Sequence, residues 1–128
     1  MFVKTLAGIL NTEAHVIGEQ FESRRFLTAG DGLGYSFHDT LVKMGTTQVM
    51  EYKNHIEVNY CIAGEGEVED VATGRVWPLI PGTMYVLDNH DRHIVRATKS
   101  DVRTVCIFTP ALTGREIHDE DGSYNAVS

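Results

Sequence analysis

Between Tyr35 and Pro110 the apolar and polar residues alternate in short stretches, each closed by a Gly, Pro or Asx cluster. That pattern predicts an all-β barrel or sandwich, with helix as the minor element. The expected strands cover residues 34–42, 46–52, 58–63, 67–71, 84–87, 93–97 and 102–109. The breakers are Gly30 and Gly32, Gly45, Gly64 and Gly66, Gly74, Pro81-Gly82 and Asp88-Asn89. Ahead of this array, residues 2–5 read as a first strand and residues 6–11 as one helical turn. Residues 116–128 are polar and read as a loosely held tail.

Side chains alternate between the two faces of a strand, so sequence parity sorts them. Ser36, His38 and Thr40 share one face of their strand. So do Met50 and Tyr52, then Glu57, Asn59 and Cys61, and finally Thr104, Cys106 and Phe108. If these faces line a lumen, it is mixed polar and aromatic, which suits a small ligand better than a plain packed core.

The bulk numbers narrow the function. A chain of 128 residues with 42% hydrophobic content is enough for one domain and one core. Its formal charge is −7, and its eleven Lys and Arg are scattered; nucleic acid and anionic membrane are therefore not expected partners. No apolar run approaches the roughly 20 residues of a membrane helix, and the first residues lack the signs of a secretory leader, so a cytoplasmic location is expected. Cys61 and Cys106 each lie in an apolar β-like run and read as buried free thiols, not as a disulfide framework.

Two motifs resemble those of the cupin superfamily. The first runs Gly, five residues, His, one residue, His, three or four residues, Glu, six residues, Gly. Gly45, Glu51, Lys53, Glu57 and Gly64 keep that spacing, with both histidines replaced. In the second, Pro81, Gly82, Tyr85 and Asn89 match, with tyrosine in place of histidine. These losses, with Glu57 and Tyr85 kept and a histidine at His93, resemble the ectoine synthase family. Blocks along the whole chain carry the same resemblance: residues 54–57, 60–62, 64–67, 81–85, 90–93 and 113–122.

The resemblance implies a small single-domain cupin, a jelly-roll-like β-barrel over residues 1–128. Residues 116–128 would be a tail that folds over the barrel mouth when substrate is bound. It implies Glu57, Tyr85 and His93 as ligands of one iron ion (Fe2+), other divalent metals being possible. A carboxylate, a phenolate and an imidazole are mixed O and N donors, better suited to iron than the sulfur-rich sets of structural zinc. His90, close to His93 in what reads as a turn, is expected to face solvent. The implied reaction joins the α-amino nitrogen of N-γ-acetyl-2,4-diaminobutyrate to its own acetamide carbonyl, then loses water to give the cyclic amidine ectoine.

That chemistry needs an acid and a base within hydrogen-bond reach; Tyr52, His55, Glu116 and His118 are the candidates. By resemblance Arg25, Thr40, Cys106 and Phe108 hold the substrate, Arg25 through a guanidinium that can engage both carboxylate oxygens. Cys106 has no neighbour in sequence that would lower its pKa and reads as a lining residue, not a nucleophile. Phe21 stands where many family members carry tryptophan, and His38 has no assigned role. The alternatives are a divergent relative acting on another N-acyl diamino acid and a cupin that only binds a solute. A cupin epimerase, a dioxygenase and a sensor fused to a helix-turn-helix are weaker readings, since the segments they need are not found. A twofold dimer through edge strands is the expected assembly.

Overall fold

The computed structural model describes residues 1–114 and Ser123. Ten strands form two antiparallel sheets: β1 (His15–Ile17), β2 (Phe21–Leu27), β3 (Ser36–Val42), β4 (Thr47–Met50), β5 (Ile56–Ala63), β6 (Gly66–Asp70), β7 (Arg75–Leu79), β8 (Met84–Leu87), β9 (His93–Arg96) and β10 (Val102–Thr109). The six-stranded sheet runs β1-β2-β3-β10-β5-β8 and the four-stranded sheet β4-β9-β6-β7. The one α-helical turn among the described residues, α1 (Leu6–Ile9), is capped by Thr5, whose hydroxyl accepts from the Gly8 amide. Within this all-β architecture every strand expected between Tyr35 and Pro110 is present to within two residues at either end.

Other expectations are corrected. Residues 2–5 are not a strand, and Met1, Phe2 and Val3 are exposed; a strand requires a neighbour to bond, and none of the described strands lies beside them. β1, β2 and β7 were not expected. β2 places Ser23, Arg24 and Arg25 in succession, all buried, so its two faces are both polar and alternation is lost. On the outer face Arg24 Nη2 donates to Asp39 Oδ1 at 2.8 Å, and Arg103 also donates to the Asp39 carboxylate. β7 contains Pro78, which cannot donate to a ladder and confines the strand to a sheet edge.

The core lies between the sheets. Val42, Val68, Leu79, Val95, Ala97 and Val102 fill one end, and Met50, Tyr52, Leu87 and Phe108 continue it toward the other. The β5–β6 connection depends on Gly64, at φ +90, where an added Cβ would lie 1.9 Å from the Asp101 carbonyl oxygen. Only glycine accepts both that conformation and that approach. Cys61 and Cys106 are buried free thiols.

Candidate active site

The pairing registers arrange the inner face of the six-stranded sheet in rows. Arg25 pairs with His38, His38 with Cys106, Cys106 with Asn59, and Asn59 with Tyr85. Five strands thus contribute, side by side, a guanidinium, an imidazole, a thiol, an amide and a phenol. One row toward the apolar end, Ser23, Thr40, Thr104 and Cys61 are paired in turn. On the other side Ser36, Phe108, Glu57 and Leu87 do the same. Strand parity forces this layering: moving two residues along each strand changes the row but keeps the face.

Apart from Arg25, Ser36, Cys61 and Leu87, these side chains line an internal cavity of about 40 Å³, together with Phe21, Gln48, Met50 and Tyr52. Arg25 is 1% exposed, which rules out the solvated surface charge that an isolated arginine would suggest. Its Nε donates to Ser23 Oγ at 3.3 Å. Phe108 orders the cavity's aromatic side: its ring lies 5.4 Å from that of His38, 5.1 Å from Tyr52 and 6.1 Å from His55, centroid to centroid. The last two contacts are edge-on, a favoured aromatic geometry. His55 precedes β5 and is buried.

Glu57 is fully inside. Burial pushes its carboxyl from 4.5 to about 8, against the opposing pull of the Asn59 amide and the Cys106 thiol beside it. Burial and the nearby Glu57 charge push Tyr85 well above its ordinary value. Burial, then Glu57, also push the Cys106 thiol up. Cys106 is therefore a hydrogen-bond donor, and its Sγ lies 2.7 Å from Asn59 Oδ1 and 3.5 Å from Thr40 Oγ1. The sequence reading of Cys106 as a lining residue agrees with this chemistry.

His93 opens β9 on the facing sheet, with its ring 6.3 Å from Tyr85 and 5.9 Å from Tyr52 between centroids. Its Nδ1 is 2.9 Å from the Asp91 carbonyl oxygen and donates to it, while burial lowers its pKa. The ring is thus neutral with its lone pair on Nε2, which is buried and without a partner among the described residues. A backbone carbonyl fixing one nitrogen so that the other is free is the usual preparation of a metal-binding histidine. Tyr85 and Glu57 crowd two acidic groups into a dry space, which a cation would relieve. Among the described residues no three His, Cys, Asp or Glu side chains gather as a metal site, so a metal here depends on the tyrosine. On donor chemistry and on the orphaned His93 nitrogen, Glu57, Tyr85 and His93 fit a divalent ion.

Tyr85 also lines, together with His93, a second, outer groove of about 630 Å³, between β6, β7 and β8 and the loop before β9. His90 is exposed, as expected, with Nδ1 bonded to the Tyr52 carbonyl oxygen at 2.7 Å. Glu116 and His118 lie outside the described residues, as does the expected lid. Asn59 was placed on the lumen face by parity but given no role; its two-residue step from Glu57 was the signal available.

Comparison with known proteins agrees with this geometry. A chain named L-ectoine synthase from Oceanobacillus iheyensis is 56% identical over 97% of this chain and 96% of its own. The crystal structure of ectoine synthase from P. lautus superposes with TM-score 0.88 at 48% identity, covering 95% of this chain and 87% of that one. A Cupin_2 domain of an XRE family transcriptional regulator from Enterobacter cloacae has TM-score 0.60 at 15% identity, over 71% of this chain and 97% of that one; it shares the fold alone. The model of the ectoine synthase family matches residues 1–128, and with a cupin barrel around a lumen of this composition the chain belongs to that family.

Proposed function

We propose that this chain is an ectoine synthase, a hydro-lyase that closes N-γ-acetyl-L-2,4-diaminobutyrate into ectoine with loss of water. The observation that carries the reading is full-length family membership, and the lumen chemistry supports it. Arg25 is the one guanidinium in the polar row and takes the substrate carboxylate bidentately. Thr40, Cys106 and Phe108 bound the space in which the flexible chain coils, bringing amine and carbonyl together. That confinement removes much of the entropic barrier to ring closure.

The balance of the reaction sets the remaining roles. The α-ammonium gives up two protons in all, one before its nitrogen bonds to the acetamide carbon and one after, and the carbonyl oxygen takes up two to depart as water. Tyr52 and His55, both buried beside Phe108, are the proposed proton-handling groups, joined by Glu116 and His118 on the strength of the family resemblance. One Fe2+ per chain, held by Glu57, Tyr85 and His93, is the proposed cofactor, and other divalent ions suit the same donors. When bound, it supplies Lewis-acid polarisation of the acetamide carbonyl.

No helix among the described residues is long and apolar enough to cross a membrane. With a net charge of −7, the proposed setting is the cytoplasm, the role is the making of a compatible solute under osmotic stress, and the partner is a second copy of the chain. Nucleic acid and membrane are not proposed partners.

The test is anaerobic incubation of the iron-loaded protein with N-γ-acetyl-2,4-diaminobutyrate, followed by chromatography for ectoine, beside a metal-stripped control. Iron-dependent ectoine is the expected result. Bound iron without product would favour the divergent reading, in which Phe21 at the cavity wall marks a different N-acyl diamino acid.

A further inference from the structure

Asn59, like His38, is a buried group of the polar row for which neither the family resemblance nor the metal site supplies a task. Asn59 is 2% exposed, it lines the cavity, and its Nδ2, though near enough to the Glu57 carboxyl to favour its charged form, completes no hydrogen bond among the described residues. A buried amide without an acceptor costs free energy that native proteins rarely tolerate unless something else fills the site. The orientation of the amide follows from Cys106, whose thiol lies 2.7 Å from Oδ1. The thiol is the donor in that contact, so the two N–H groups turn away from Cys106, toward the Glu57 carboxyl.

We propose that Asn59 is a catalytic residue that donates its amide N–H to the acetamide oxygen of the substrate. The inference rests on the ectoine synthase reading. Two acceptor groups exist on such a substrate, the α-carboxylate and the acetamide oxygen, and Arg25 takes the first. Asn59 lies three strands away through His38 and Cys106, about 14 Å of sheet at roughly 4.8 Å per strand. An arginine side chain extended along the row would shorten that separation toward the span of a small diamino acid. Beside Asn59 in the same row is Tyr85, so the oxygen it holds lies next to the proposed metal ligands.

As the amine nitrogen bonds to the acetamide carbon, the carbonyl electron pair moves to the oxygen, and negative charge grows there. A fixed donor aimed at that oxygen becomes more favourable as the charge develops. The oxygen then leaves as water and is absent from ectoine, whereas the carboxylate remains. Asn59 therefore distinguishes substrate from product, and Arg25 does not.

The experiment compares wild type with Asn59→Leu, which preserves volume without a donor, and Asn59→Ser, which keeps a shorter donor. Iron content, kcat/KM for N-γ-acetyl-2,4-diaminobutyrate, and ectoine affinity by calorimetry are measured on each. Asn59→Leu is expected to keep its iron and its ectoine affinity while kcat/KM falls about a hundredfold, with Asn59→Ser between it and wild type. Wild-type kcat/KM in Asn59→Leu would overturn the proposal in favour of packing. Lost iron would overturn it in favour of a role in holding Glu57, and a parallel loss of ectoine affinity would show that the amide does not single out the oxygen. Should wild type itself form no ectoine, the parent reading fails; turnover by wild type and Asn59→Leu alike removes this inference alone.

Discussion

Glu57 shows how one residue links the cavity to stability. In the metal-free folded chain its carboxyl is pushed by burial to about 8, from an ordinary value of 4.5. Between those two values the folded state holds a proton that the unfolded chain has released. By linkage, the stabilisation is fully present below 4.5 and is lost as pH rises through 8. The slope can reach about 1.4 kcal/mol per pH unit. Glu57→Gln keeps the shape and removes this titration, so in the metal-free protein the wild-type urea midpoint should fall relative to that of Glu57→Gln over that window. Parallel profiles for the two would show that Glu57 is not the titrating group. Iron reverses the relationship, since a carboxylate and a phenolate bound to a cation must be deprotonated. Binding should therefore tighten with pH over the range in which the apo protein weakens.

At the scale of strands, the sequence was most legible where one face is apolar and the other solvated. β10 alternates buried and half-buried residues along most of its length, and the limits expected from the residues that bound its segment match. β2 was illegible because burial there is polar on both faces: Arg25 turns into the lumen, while Arg24 pairs outward with Asp39. A single sequence shows charge but not the partner that permits its burial, and Asp39 and Arg103 lie on other strands. The candidate site was legible in the same uneven way. Motif spacing marked Glu57 and Tyr85, but only the register joins Arg25, His38, Cys106, Asn59 and Tyr85 in one row.

The outer Arg24–Asp39–Arg103 cluster joins β2, β3 and β10 by charge. Burial raises the Asp39 pKa, but hydrogen bonds from Arg103 and then Arg24 outweigh it, and its carboxyl is held below the ordinary 3.8. Its contribution is present above that value and lost as pH falls through the lowered one. Asp39→Ala would strand Arg24, whose side chain is 9% exposed, as an unpaired buried cation. A loss of about 3 kcal/mol in unfolding free energy is expected, measurable by urea denaturation. Ectoine affinity should be unchanged, because the cluster faces away from the lumen; a loss under 0.5 kcal/mol, the usual ceiling for a surface change, would mean the pair is effectively solvated.

For the whole molecule, the barrel is open on one side, where the edges β7 and β8 flank the outer groove. The two edges differ in protection. Pro78 blunts β7, whereas β8 carries neither proline nor lysine and leaves Met84 59% and Val86 40% exposed. An unprotected apolar edge is the place where a second chain adds, and Trp77 and Ile80 extend the apolar surface across the groove. Because Tyr85 and His93 form part of the groove wall, a partner seated there would close the proposed metal site from outside and exclude water from it. Assembly and metal retention should therefore be coupled. Wild type is expected to sediment at twice 14.2 kDa, and Met84→Lys, which places a charge on the exposed edge without touching a proposed ligand, should sediment at 14.2 kDa and release iron faster to a chelator. A monomeric wild type would remove the dimer. A monomeric Met84→Lys that holds iron as tightly as wild type would separate assembly from the metal site, leaving the lumen alone to keep the ion dry.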